Sequence, residues 1–168
     1  MFTTVQSFVS SWRHESAATQ RVLDALTDAS FEQRIAPNHR SLGQLAWHIA
    51  VTIHEMVSRT GLVFPGPEGD EHTPAPASAA AIAAVYRKSS EELLKAIQEQ
   101  WSDETLARTT NMYGEVWPNG LTLHILIQHE VHHRGQMTVL MRQAGLRVPD
   151  IYGPTREDWL ERGMQPLV

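Results

Sequence analysis

Apolar side chains recur at spacings of three and four through four long stretches of this chain, and that period commits most of it to amphipathic helices. The first stretch runs from about Thr3 to Leu26 and aligns Val5, Phe8, Val9 and Trp12, then Val22, Leu23 and Leu26, before Asp28, Ala29 and Ser30 interrupt it. The second opens at Ser41, where Ser41 and Gln44 have the spacing of a capping box, and carries Leu42, Leu45, Ile49, Ile53 and Met56 toward a stop at Gly61. The third begins near Ser78 and passes through Ile82, Tyr86, Leu93, Leu94 and Ile97 to Trp101. The fourth is expected from about Thr122 to Ala144, with Gly145 as its C-terminal cap. No stretch alternates apolar and polar residues for long enough to build a sheet. The period therefore predicts an all-α four-helix bundle: one domain over residues 1–168 with a short C-terminal tail.

The segments between the helices are distinct in character. Gly61 to Ala77 holds three glycines and four prolines and predicts a long crossover after the second helix. Ser102 to Gly120 contains Asn111-Met-Tyr-Gly and Trp117-Pro-Asn-Gly, both read as turns, and Thr155 to Leu160 reads as a short helix capped by Thr155. With 42% hydrophobic and 20% charged residues, a chain of this length can bury a core without staples. The net charge of −5 gives no footing on a nucleic-acid backbone. The longest near-apolar run, Ala79 to Tyr86, is far short of a membrane span, and the N-terminal residues lack a signal-peptide pattern. A soluble, cytoplasmic chain is the expectation. There is no cysteine, which excludes disulfides, thiolate nucleophiles and cysteine-ligated metals. Trp12, Trp47, Trp101, Trp117 and Trp159 are many large aromatics for one bundle core, so some are expected at a homodimer interface.

Histidine is the unusual component, at nine residues, and the fourth helix concentrates it in His129-Glu-Val-His-His-Arg-Gly-Gln136. At about 100° per residue, His129 and His133 fall roughly 40° apart on one face, the i, i+4 placement with which two imidazoles grip one ion. Gln136 lies one turn further on the same stripe and can hydrogen-bond a ligand or bound water. His132 sits to the side, while His124 and Arg134 face the opposite way and read as solvated. Two imidazoles turned into a dry interior need something to satisfy their lone pairs, and a metal does so. The best third ligand is His48, at the edge of the second helix's apolar stripe; the alternative for it is a half-buried boundary residue. Glu55 continues the same edge and can orient an imidazole. His54 lies on the far side of the second helix, His14, His39 and His72 fall outside the ligand spacing, and all four read as structural or exposed. The same residues also spell His129-Glu130-x-x-His133, the zinc-peptidase pattern, with Glu130 as general base. Without a sheet edge to hold a peptide, that reading is weak.

Leu42-Gly-Gln-Leu-Ala-Trp-His48 at the start of the second helix, together with His129-x-x-His-His-Arg-Gly-Gln136, resembles the DinB-like (YfiT-like) family of metal-binding four-helix bundles. The helix order and the crossover match too, so the likeness covers nearly the whole chain. The resemblance implies a three-histidine site at His48, His129 and His133, with His132 not a ligand, and a divalent metal such as zinc or nickel. It also implies a homodimer and, from family members of known activity, a low-molecular-weight-thiol S-transferase acting on a small molecule in stress or detoxification. The other readings are a non-catalytic metal-binding dimer and a metal-dependent hydrolase using Glu130. The loop around Tyr113 and Trp117, just ahead of the fourth helix, is the expected wall of the site's mouth.

Overall fold

The long helices start where a short polar side chain can take over a backbone N–H that has no partner within the helix. The structure, a computed structural model describing residues 1–70 and 72–166, shows this at three of the four. Thr4 accepts from the Ser7 N–H ahead of α1 (Val5–Asp24), and Ser78 from the Ala81 N–H ahead of α3 (Ala79–Gln100). Between them, Ser41 and Gln44 form the expected capping box ahead of α2 (Leu42–Ser58). A short α4 (Asp103–Ala107) and a two-stranded hairpin, β1 (Thr109–Met112) and β2 (Glu115–Pro118), lead into α5 (Asn119–Gln143). The tail carries α6 (Arg156–Glu161), opened by the Thr155 cap.

The hairpin corrects the expectation of turns alone between Ser102 and Gly120. Its strands pair antiparallel, Thr109 opposite Pro118 and Met112 opposite Glu115, across a two-residue turn. Tyr113 and Gly114 both have positive φ, 56° and 93°, the backbone that lets a tight turn match the twist of its strands. Four-residue strands are too short for alternation to register. The hairpin also sets the start of α5, three residues earlier than expected. Asn119 donates its N–H to the Arg108 carbonyl at 2.8 Å, and its side chain bonds Thr105 and Thr110. One residue on, the Phe2 N–H bonds the Gly120 carbonyl, and a Cβ at Gly120 would lie 2.1 Å from the Phe2 oxygen. Only glycine fits there.

In cross-section α1 packs against α3 and α5, and α2 packs against the same two. The core they enclose contains Phe8, Trp12, Ile53, Tyr86, Leu93, Ile97 and Leu123, with the Trp12 indole N–H bonded to Ser90 at 2.9 Å. Trp12 and Trp47 are thus committed to the interior, and Trp101, Trp117 and Trp159 are half-buried. The crossover after α2, apart from residue 71, lies docked on the bundle. Gln100 holds both polar groups of the Val63 backbone, and the Trp47 indole N–H bonds the Asp70 carbonyl at 3.0 Å. Among the described residues no helix is long and apolar enough to cross a membrane. The adjacency of α2 and α5 is what matters for chemistry, because it brings the histidines of the two helices face to face.

Candidate metal centre

His48 projects from α2 toward His129 and His133 on α5. The Nε2 atoms of His48 and His129 are 3.0 Å apart. Ring centroids lie 4.8 Å apart for His48 and His133 and 4.4 Å for His129 and His133. One ring nitrogen from each of the three falls within 4.8 Å of the others, the only such group of potential metal-ligating side chains among the described residues. Two bonds of about 2.0–2.1 Å to a shared ion match that scale.

Burial keeps these imidazoles neutral. It pushes His48 down to about 3, helped by the positive field of Arg40, and His129 down to about 4. His133 is lowered too, again mainly by burial. The His133 Nδ1 meets Gln136 Oε1 at 2.7 Å; with the amide oxygen accepting, the Nδ1 carries the proton and the Nε2 presents its lone pair. The His129 Nδ1 is buried with no hydrogen-bond partner among the described residues. Three neutral imidazoles with converging lone pairs, one fixed in its tautomer, fit a divalent ion. His132 is exposed and lies edge-on against His133. If Gln136 orients a ligand, Gln136→Ala should weaken divalent-metal affinity by about 10- to 100-fold with the fold intact. Competition with a chromogenic chelator reads this directly, and unchanged affinity would remove Gln136 from the site.

The neighbours differ from expectation. Glu55 does not reach an imidazole: its carboxylate accepts from Arg59 at 2.6 Å and from the Tyr113 hydroxyl at 2.7 Å, so two nearer donors occupy it. Tyr113 is exposed at the hairpin turn and Trp117 donates to Glu115 at 2.8 Å. Neither lines the cavity that opens beside His133 and Gln136, whose far wall is instead the segment ahead of α2.

Glu130 and Arg134 are corrected more sharply. Both are 1% exposed, because the buried stripe of α5 runs Leu126, Glu130, Arg134, Met137 and so carries two charges into the interior. Tyr86 donates to Glu130 at 2.9 Å and Thr19 donates to it at 3.1 Å. Arg134 donates to Thr19 at 3.0 Å, to the Glu15 carboxylate at 2.5 Å and to the Tyr152 hydroxyl. Glu130 therefore belongs to an internal network tying α5 to α1 and α3, not to the histidine cluster. Arg134 clamps the C-terminal tail, also through the face of the Tyr152 ring. His124 is half-buried rather than solvated, packed edge-on to Phe2.

The sequence matches the family described as DinB family over residues 1–164. It is 47% identical over 165 residues, 98% of each chain, to the uncharacterized protein YrdA of Bacillus subtilis (strain 168). The fold is similar to the crystal structure of a DinB-like protein from Bacillus cereus ATCC 10987. There the TM-score is 0.86 at 47% identity, covering 90% of this chain and 100% of that one. A DinB-like protein from Bacillus subtilis, YjoA, shares the fold alone, with a TM-score of 0.66 at 18% identity over 86% of this chain and 97% of that one.

Proposed function

The chain belongs to the DinB family, and on that premise we propose that it is a metal-dependent S-transferase joining a low-molecular-weight thiol to an organic electrophile. The observation that carries this reading is the convergence of His48, His129 and His133 as neutral donors in a chain that has no cysteine of its own. A divalent ion, zinc or nickel, held by these three histidines would supply one thing there: it would lower the pKa of a thiol from its free value of about 8.5.

The protein's own groups do the rest. The three imidazoles stay unprotonated at neutral pH, so their lone pairs are available without proton release. Gln136 keeps the His133 ring turned inward. In the reaction an S–C bond forms as the bond from carbon to the leaving group breaks; the leaving group departs with that electron pair, and the thiol proton passes to water. No side-chain base is needed. Glu130, held by Tyr86 and Thr19, is dispensable to the transfer. The hydrolytic reading loses its base by the same observation. A homodimer remains part of this proposal, and sedimentation velocity at micromolar concentration reads it.

The test is conjugation of cysteine, coenzyme A and other low-molecular-weight bacterial thiols to 1-chloro-2,4-dinitrobenzene, with the zinc- or nickel-loaded chain. Rates should exceed the metal-free background by at least about tenfold, and Glu130→Gln should leave them unchanged. If no thiol exceeds background, the chain is a non-catalytic metal-binding protein.

A further inference from the structure

A cavity of about 400 Å³ adjoins the histidine cluster, within the range of about 300–1,000 Å³ usual for small-molecule sites. Ile35, Leu45, Val139 and Leu140 make its walls apolar, and His133 with Gln136 forms one end. Ile35 and Val139 stay 58% and 51% exposed, so the rim offers apolar surface that the bundle itself leaves uncovered. Among the described residues no carboxylate lines the cavity. Its one guanidinium, Arg40, has no hydrogen bond or ion pair among the described residues.

The loop that bears Arg40 is built rather than loose. Arg34 donates to the His39 carbonyl at 3.1 Å and to the Gln44 side chain at 3.0 Å. The Leu42 and Gly43 N–H groups bond the Gln33 and Phe31 carbonyls. A Cβ at Gly43 would lie 2.8 Å from the Phe31 ring, so the loop is packed tightly onto the first turn of α2. The backbone bearing Arg40 is thus held at the rim of an apolar cleft whose far end is a donor set for a second cation, and the Arg40 side chain itself is exposed there. Glu55, the acidic side chain whose field reaches His129, is already committed to Arg59 and Tyr113. The charge complementary to this arrangement is negative, and none of the described residues lining the cavity supplies it.

We propose that the cavity binds a small organic carboxylate with an apolar body, the carboxylate paired with Arg40, the body between Leu45, Val139 and Leu140, and the reacting end at His133. This deepens the transferase reading and rests on it only for which end of the molecule reacts. Arg40 is then a specificity-determining residue.

Titration calorimetry of the full chain, as purified and after chelation, with 4-phenylbutanoate and with its amide tests the proposal without turnover. The carboxylate should bind about five- to tenfold tighter than the amide in both preparations. Arg40→Gln should bring that ratio to about one while leaving the amide unaffected. Val139→Trp, at a half-exposed position that tolerates bulk, should fill the cleft and weaken both ligands by more than about tenfold. Equal binding of acid and amide, a preference that survives Arg40→Gln, or no binding of either at millimolar concentration overturns the proposal. Carboxylate binding without thiol conjugation would instead retire the transferase reading and leave the anion site standing.

Discussion

Replacing His129 with alanine is expected to lower affinity for a divalent ion by at least about 100-fold, beyond the 10- to 100-fold that loss of an outer hydrogen-bonding partner costs. The His129 Nε2 stands 3.0 Å from that of His48, so its removal takes away one of three converging donors. His132→Ala, one turn-face away and exposed, should leave metal content unchanged. Metal analysis of protein purified without a nickel resin measures both, since three imidazoles accept whichever ion the preparation supplies. The thermal shift on adding zinc gives a second readout, because an ion at 100 times its Kd stabilises the folded state by about 2.7 kcal/mol. With His48 at about 3 and His129 at about 4, protons compete for these ligands only in acid. Full metal retention by His129→Ala would exclude the site.

Glu130→Gln should make the protein more stable above pH 7. Burial raises the Glu130 carboxyl to about 7, against about 4.5 when unfolded, although Tyr86, Thr19 and Arg134 pull the other way. Between those values the folded chain keeps a proton that the unfolded chain has already lost, so stability falls as pH rises through this window. Above pH 7 the cost is complete, at most about 3 kcal/mol from the size of the shift. Glutamine has no charge to desolvate and can still accept from Tyr86. Urea unfolding should therefore show the two proteins nearly matched at pH 4.5 and the variant ahead by about 2–3 kcal/mol at pH 8. A variant less stable than the parent at pH 8 would show that the ionised carboxylate is a net stabiliser, through Arg134, and would reverse this account.

Those two residues also mark the limit of what the linear pattern carries. Leu126, Glu130, Arg134 and Met137 keep the spacing of a core stripe, but two charges on it read as a solvated face. The signal lay in other helices: Thr19 and Tyr86, isolated polar groups on otherwise apolar stripes, are the partners. The hairpin at Tyr113 was likewise invisible, because four-residue strands are held by their mutual register and by Asn119, not by a local period.

What the chain declares by itself is local. The caps at Ser41, Ser78 and Thr155 act within three residues, the four apolar stripes act within two turns, and His129 with His133 share a face by helix geometry alone. Anything requiring two helices to meet was decided by packing. That α2 and α5 are neighbours follows from how the four stripes exclude water together. Only that adjacency brings His48 to His129, turns Glu55 to Tyr113, and leaves Arg40 at the rim of an apolar cleft. A stripe specifies that a face is buried; which partner buries it depends on the shape and volume of every other stripe at once.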